Sequence, residues 1–138
     1  NEQPMFLDDI QSAKPSIPIY TDIPLGDCKL WIESFRANGY VSLPDIKGSN
    51  LFAVRVMDDS MEPSLSKGNI LVINPEKQFS RGIAVVRHTW GYKIRNVKQH
   101  EKSLLLIPLN PKYDEEEIII DENTAVYVPV KVVAVRDI

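Results

Sequence analysis

Hydrophobic and polar residues are arranged differently on the two sides of Gly39. Downstream of it, short runs rich in Val, Ile and aromatic residues are each bounded by Gly, Pro, Asn or Asp, which is typical of β-strands. Strands are predicted at residues 40–43, 51–57, 69–74, 82–88, 92–97, 103–109, 117–120 and 124–135. The pattern therefore predicts a mostly β fold of strongly curved sheets with little helix.

Two of these segments carry a more detailed prediction. Residues 88–91, His-Thr-Trp-Gly, read as a hairpin connection with Gly91 in the left-handed position. In the last segment, valines recur with a period close to two, as in a long half-buried strand. Pro129 interrupts that segment and marks a bend or a sheet edge, because proline cannot donate a ladder hydrogen bond.

The first part of the chain shows no sustained period. Residues 1 to about 23 contain Pro4, Pro15 and Pro18 and are predicted to form an extended arm or linker. Residues 28–37 could form a short helix or an irregular packed segment, closed by Asn38 and Gly39. We therefore divide the chain into an arm, residues 1–26, and a folded domain, residues 27–138.

Composition narrows the classes of function. The chain has 138 residues, 43% apolar and 25% charged, which suits one compact domain, and its net charge of -3 does not favour binding to a phosphate backbone. One cysteine, Cys28, and two histidines, His88 and His100, are too few for a typical metal site, so we predict neither metal nor cofactor. The sequence shows no membrane-spanning run and no signal peptide, and we expect a cytoplasmic protein.

The most informative segment is the polar turn at residues 57–65, which lies between two apolar runs and has Ser60 near its centre. A nucleophile would be well exposed on such a turn. Ser60 could equally cap a short helical turn, with Glu62 in the first turn favouring the helix dipole. Local chemistry alone leaves both interpretations open.

The full motif resembles the nucleophile motif of the LexA and phage-repressor family of self-cleaving Ser–Lys peptidases. That motif is Gly-Asp-Ser-Met-x-Pro followed by Asp-Gly-Asp, whereas this chain has Asp58 in place of the glycine and Lys67-Gly68-Asn69 as the second part. The resemblance implies a LexA-like fold, Ser60 in the nucleophile position, and an oxyanion hole formed by the backbone N–H groups of Asp59 and Ser60.

The second half of the family's catalytic pair is a lysine on the strand after the hairpin. An ungapped alignment to the family's Asn-Pro-x-Tyr turn, here Asn110 to Tyr113, puts Arg95 at the general-base position. Arginine stays charged and cannot accept the serine proton. A register shift of two would instead bring Lys93 to the site, because residues i and i+2 share a face of a strand.

The resemblance also implies a scissile bond upstream of the domain. Family members cut their own linker, usually at Ala-Gly or Cys-Gly, and the counterpart in this chain is Leu25-Gly26. Leucine is much larger than alanine, so a pocket for a small side chain would have to change. These residues could also be a simple turn with Gly26 at positive φ.

We therefore predict the C-terminal regulatory and dimerisation domain of a LexA-like or prophage-type transcriptional repressor that is deficient in self-cleavage. The resemblance implies a homodimer that binds operator DNA through an N-terminal helix-turn-helix domain outside this sequence. It also implies regulation, as in the SOS response, by a RecA filament or by an antirepressor protein.

Two alternatives remain open at this point. One is an active autopeptidase that uses Ser60 and Lys93 and is triggered by a DNA-damage filament. The other is a UmuD-like polymerase accessory protein, in which a short arm replaces the DNA-binding domain.

Overall fold

The computed structural model describes residues 16–21, 23 and 37–134, and every regular element within them is a strand. The ten strands are β1 (Ser16–Tyr20), β2 (Gly39–Ser42), β3 (Phe52–Arg55), β4 (Ile70–Ile73), β5 (Gly82–His88), β6 (Gly91–His100), β7 (Ser103–Ile107), β8 (Glu116–Ile119), β9 (Ala125–Tyr127) and β10 (Pro129–Val133). The prediction of a mostly β fold is confirmed.

The strands form two five-stranded sheets. The first has the order β10-β4-β3-β1-β2 and the second the order β8-β7-β6-β5-β9. The pairing of β1 with β3 is parallel, and all other pairings are antiparallel. The second sheet is therefore built largely from consecutive strands, with β5, β6, β7 and β8 following one another along the chain.

One apolar cluster joins the two sheets. Phe52, Val54 and Leu71 from the first sheet are buried together with Val85 and Ile94 from the second. Alternate residues of each strand supply this cluster because side chains point to opposite faces with a period of two. The same cluster holds the turn that carries Ser60, since two of that turn's side chains, Met61 and Leu65, are also buried in it.

The predicted hairpin between β5 and β6 is confirmed. His88 pairs with Gly91, which leaves Thr89 and Trp90 as a two-residue loop. Gly91 has a φ of 105°, which glycine adopts far more readily than other residues. This turn sets the register of β6, and so decides which of its side chains lie beside the Ser60 turn.

The prediction of one long strand over residues 124–135 is wrong. The segment forms two strands, β9 in the second sheet and β10 in the first, and Val128 lies between them. Pro129 begins β10 at the edge of the first sheet, as its missing N–H requires. Valine alternation continues across the break because each half still buries one face against its own sheet, so the pattern could not reveal the change of sheet.

Strand β1 lies within the range predicted as an arm. It pairs with β2 on one side and β3 on the other, and Ile17 and Ile19 are buried. The prolines that flank and interrupt this short strand hid it from the pattern analysis. The segment at residues 28–37, predicted as a short helix or an irregular packed segment, lies outside the described residues except for Ala37. The division of the chain at residue 26 stays a prediction.

Candidate active site

The Ser60 turn connects β3 to β4 and is fixed by its own hydrogen bonds. The Glu62 N–H donates to the Asp59 carbonyl at 3.2 Å, and the Leu65 N–H donates to the Met61 carbonyl at 2.9 Å. Met61 is fully buried. Its apolar side chain anchors the turn to the core directly after the serine.

A second loop, which includes Leu109 and Asn110, donates hydrogen bonds to the backbone of the turn. The Leu109 and Asn110 N–H groups both donate to the Ser60 carbonyl, at 3.1 and 2.9 Å. The Asn110 side-chain amide donates to the Asp59 carbonyl at 2.9 Å. The loop with the family-like Asn-Pro-x-Tyr sequence therefore positions the serine and does not merely lie near it.

The Ser60 hydroxyl makes two hydrogen bonds with charged side chains. It donates to Asp58 Oδ1 at 2.6 Å and accepts from Arg95 Nη1 at 2.8 Å. The Ser60 N–H also donates to Asp58 Oδ1, at 3.0 Å. The Ser60 N–H is one of the two that the family resemblance assigns to the oxyanion hole, and here it is hydrogen-bonded to Asp58. The Ser60 hydroxyl proton points at the same carboxylate.

Arg95 lies in the middle of β6 and only 6% of its surface is exposed. Its Nη1 also donates to the Ile94 carbonyl at 2.8 Å, while its buried Nε has no hydrogen-bond partner among the described residues. The guanidinium lies over the Tyr113 ring, with Cζ 5.8 Å from the ring centroid. Burial and these contacts hold the side chain against the serine.

Lys93 lies two residues earlier on the same face of β6, but its ammonium group is engaged elsewhere. Its Nζ is 2.6 Å from Glu116 Oε1 and 4.5 Å from the centroid of the Trp90 ring. The structure thus brings Arg95 to Ser60 and places the Lys93 ammonium at the margin of the site.

Tyr113 and Asp59 form a polar contact beside the serine. The Tyr113 hydroxyl donates to Asp59 Oδ1 at 2.7 Å. This hydrogen bond is the main reason that the pKa of Asp59 lies below its ordinary value and that the pKa of Tyr113 lies above its own. The bond therefore favours a charged Asp59 and a neutral Tyr113.

A cavity of about 40 Å³ opens beside Ser60. Its walls include Met57, Tyr92, Lys93 and Ile94, together with the two charged partners of the serine. The volume admits about one to a few water molecules, and not a peptide segment. A peptide could reach the Ser60 hydroxyl only if these walls moved.

The other candidate residues lie elsewhere. His88 contacts Thr89 and Asp121, and His100 is exposed at the end of β6, so neither histidine contacts the serine. Leu25, Gly26 and Cys28 lie outside the described residues. Within the described part of the chain, no group of three side chains could hold a metal ion, and no helix is long and apolar enough to cross a membrane.

The contacts of three residues of the site were not predicted from the sequence. Asp58 was noted as a departure from the family's glycine but was assigned no role, although a carboxylate two residues before a serine can accept its N–H in a turn. Asn110 and Tyr113 were used only for alignment. Their contacts with Asp59 join parts of the chain 51 and 54 residues apart, which no local pattern could reveal.

Comparison with known families agrees with this geometry. The profile of the family described as Peptidase S24-like matches residues 18–130, which include β2 to β9, parts of β1 and β10, and every residue of the site. The chain belongs to the Peptidase S24-like family. The match begins within β1.

Three curated relatives of this Peptidase S24-like chain carry names of transcriptional regulators. They are HTH-type transcriptional regulators for the conjugative elements R391 of Providencia rettgeri, SXT of Vibrio cholerae and pMERPH of Shewanella putrefaciens. Each is 31% identical over 111 residues, which cover 72% of this chain and 52% of the relative. The chain spans about half the length of the curated relatives it matches.

Proposed function

We propose that this chain is the C-terminal regulatory domain of a LexA-like transcriptional repressor, and that it keeps the peptidase fold without the self-cleavage reaction. The observation that carries the proposal is the 2.8 Å hydrogen bond from Arg95 Nη1 to Ser60 Oγ. In a Ser–Lys peptidase this position must hold a neutral amine that takes the serine proton. A guanidinium stays protonated at physiological pH and can only donate.

The alternative base, Lys93, receives no support from the contacts of its ammonium group. Its Nζ bonds to Glu116 and faces the Trp90 ring, so it would have to leave both before it could approach the serine. Arg95 would have to leave at the same time, because it already occupies the serine oxygen. The active autopeptidase is therefore the weaker proposal.

The DNA-binding part of the proposal rests on charge and on the relatives. A net charge of -3 does not suit direct binding to DNA, whereas the names of the relatives include a helix-turn-helix type of regulator. We propose that operator DNA is bound by an N-terminal domain outside this sequence, in a cytoplasmic homodimer. Residues before β1 would link that domain to the sheets, and the cleavage-like Leu25-Gly26 pair follows β1 in the chain.

Loss of cleavage also bears on how such a repressor would be released from DNA. A RecA filament acts on family members by promoting self-cleavage, and we do not expect that reaction where a guanidinium takes the place of the neutral amine. We therefore propose an antirepressor protein as the inducer, because binding to the folded domain needs no working Ser60.

Self-cleavage is tested directly by incubating the purified chain at alkaline pH and following its intact mass. The chain should remain whole for as long as a Ser60→Ala control does. A break between Leu25 and Gly26 that occurs in the parent chain and not in the control would overturn the proposal. Repeating the incubation with Lys93→Ala would then show whether Lys93 is the base.

A further inference from the structure

Asp58 is the second charged partner of the Ser60 hydroxyl. We infer that Asp58 acts with Arg95 to hold the Ser60 hydroxyl in an unreactive state, because each of these charged side chains makes a hydrogen bond with the same oxygen. The inference rests on the proposed loss of cleavage and names a further residue that maintains it. Asp58 is a positioning residue in this account, since it acts only through Ser60.

The two hydrogen bonds at the Ser60 oxygen run in opposite directions. Arg95 Nη1 donates to Ser60 Oγ at 2.8 Å and so occupies a lone pair, which an attacking serine must direct at a carbonyl carbon. Asp58 Oδ1 accepts the hydroxyl proton at 2.6 Å and so directs it away from Arg95. The oxygen bridges an anionic and a cationic side chain. A nucleophilic serine would need Arg95 to release this lone pair, and the Asp58 carboxylate is a much weaker base than the neutral amine of the family's lysine.

The negative charge of Asp58 also opposes ionisation of the hydroxyl. An anion forming at Ser60 Oγ would lie 2.6 Å from a carboxylate oxygen. A like charge at this distance disfavours the ionised form, whereas the Arg95 guanidinium at 2.8 Å acts in the opposite sense. In the family pattern this position is a glycine, which has neither the charge nor the acceptor.

Two other charged groups near the serine, Asp59 and Lys93, make hydrogen bonds with other side chains. Asp59 accepts the Tyr113 hydroxyl, and Lys93 is bonded to Glu116. Among the charged and titratable groups around the serine, Asp58 and Arg95 are therefore the two whose hydrogen bonds reach Oγ in the described part of the chain. The effect of Asp58 can consequently be isolated by changing that residue alone.

A thiol at position 60 reports the local charge without requiring any catalysis. We would prepare Ser60→Cys with Cys28→Ser, so that one thiol remains, and follow formation of the thiolate by ultraviolet absorbance across pH. Adding Asp58→Asn should lower the midpoint by about one pH unit, because it removes the neighbouring negative charge. Asparagine keeps an oxygen that can accept the Ser60-position N–H, so the turn itself is retained.

The matched control is Glu62→Gln, which removes the same charge two residues after the serine. The Glu62 side chain makes no hydrogen bond to Ser60 in the structure, so this change should move the midpoint much less. Asp58→Gly, which restores the family residue, must shift the midpoint in the same direction as Asp58→Asn, and circular dichroism identifies the variants that fold. A shift no larger than that of Glu62→Gln in either folded Asp58 variant would overturn the inference.

This experiment separates the inference from the proposed function. Ser60-dependent self-cleavage by the parent chain would refute the proposed loss of activity, whatever the thiol titration shows. An unchanged titration would refute the role of Asp58 even if the parent chain stays whole.

Discussion

Two regions along one face of β6 carry a positive charge in contrasting surroundings. Arg95 is 6% exposed and is hydrogen-bonded to Ser60 and to the Ile94 carbonyl. The Lys93 side chain is 33% exposed and bonds to Glu116, which is similarly exposed. The buried region around Arg95 includes the serine, while the margin around Lys93 borders on solvent.

This difference explains why the two cations are not equivalent. In the buried region each polar group depends on another, so losing Arg95 leaves the Ser60 oxygen and the Ile94 carbonyl without a donor. At the margin, water can replace either partner of the Lys93–Glu116 pair. The alternation of side chains along the strand cannot distinguish the two residues, because both point to the same side of β6.

The largest effect should come from restoring a lysine in the buried region. We expect Arg95→Lys with Asp58→Gly to cleave itself between Leu25 and Gly26, because a buried ammonium can lose its proton and then act as the base. The rate should rise with pH as the introduced lysine becomes neutral. Intact mass spectrometry over an alkaline series measures the effect, and general-base contributions of about 10² or more make it easy to detect.

The control for this gain of activity is the same variant with Ser60→Ala, which should stay whole. Adding Leu25→Ala tests whether the large residue before Gly26 limits the cut. Absence of cleavage in the folded variant, even with Leu25→Ala, would show that the difference between the two regions is not what blocks the reaction.

The fold was predictable where a local pattern determines it. Alternation located most strands, and Gly91 identified the hairpin because few other residues adopt its φ of 105°. The change of sheet at Val128 was not predictable, since the alternation is the same on both sides of the break. Strand β1 was also missed, because its pairing depends on strands β2 and β3 far along the chain.

The site was predictable only in part, for the same physical reason. The motif singled out Ser60, and the ungapped spacing put Arg95 at the position that the structure brings to 2.8 Å from the serine oxygen. The Asp58 contact depends on the φ and ψ angles of the turn, which the sequence does not state. The Tyr113–Asp59 hydrogen bond depends on two loops meeting in space. The catalytic roles assigned to these residues remain predictions.

A smaller effect should distinguish the two regions by stability. Arg95→Met should lower the free energy of unfolding by about 2 kcal/mol, because buried acceptors lose their donor. Lys93→Met should lower it by less than about 1 kcal/mol, since its partner is partly exposed to water. Urea denaturation of the two variants beside the parent chain measures both changes. Equal losses would show that burial does not separate the regions.

The smallest effect concerns the polar contact beside the serine. Tyr113→Phe should raise the pKa of Asp59 toward its ordinary value, because it removes the hydrogen bond that lowers it most. Since the folded pKa is the lowered one, the bond stabilises the fold above the unfolded pKa of about 4, and that contribution is lost as the pH falls through the folded pKa. The stability curves of parent and variant should therefore converge in acid. Carboxyl titration by NMR measures the shift, with Asp45, whose pKa is lowered by Lys131 elsewhere on the surface, as an internal control that should not change. An Asp59 titration unaffected by Tyr113→Phe would show that this exposed hydrogen bond does not lower the pKa of Asp59.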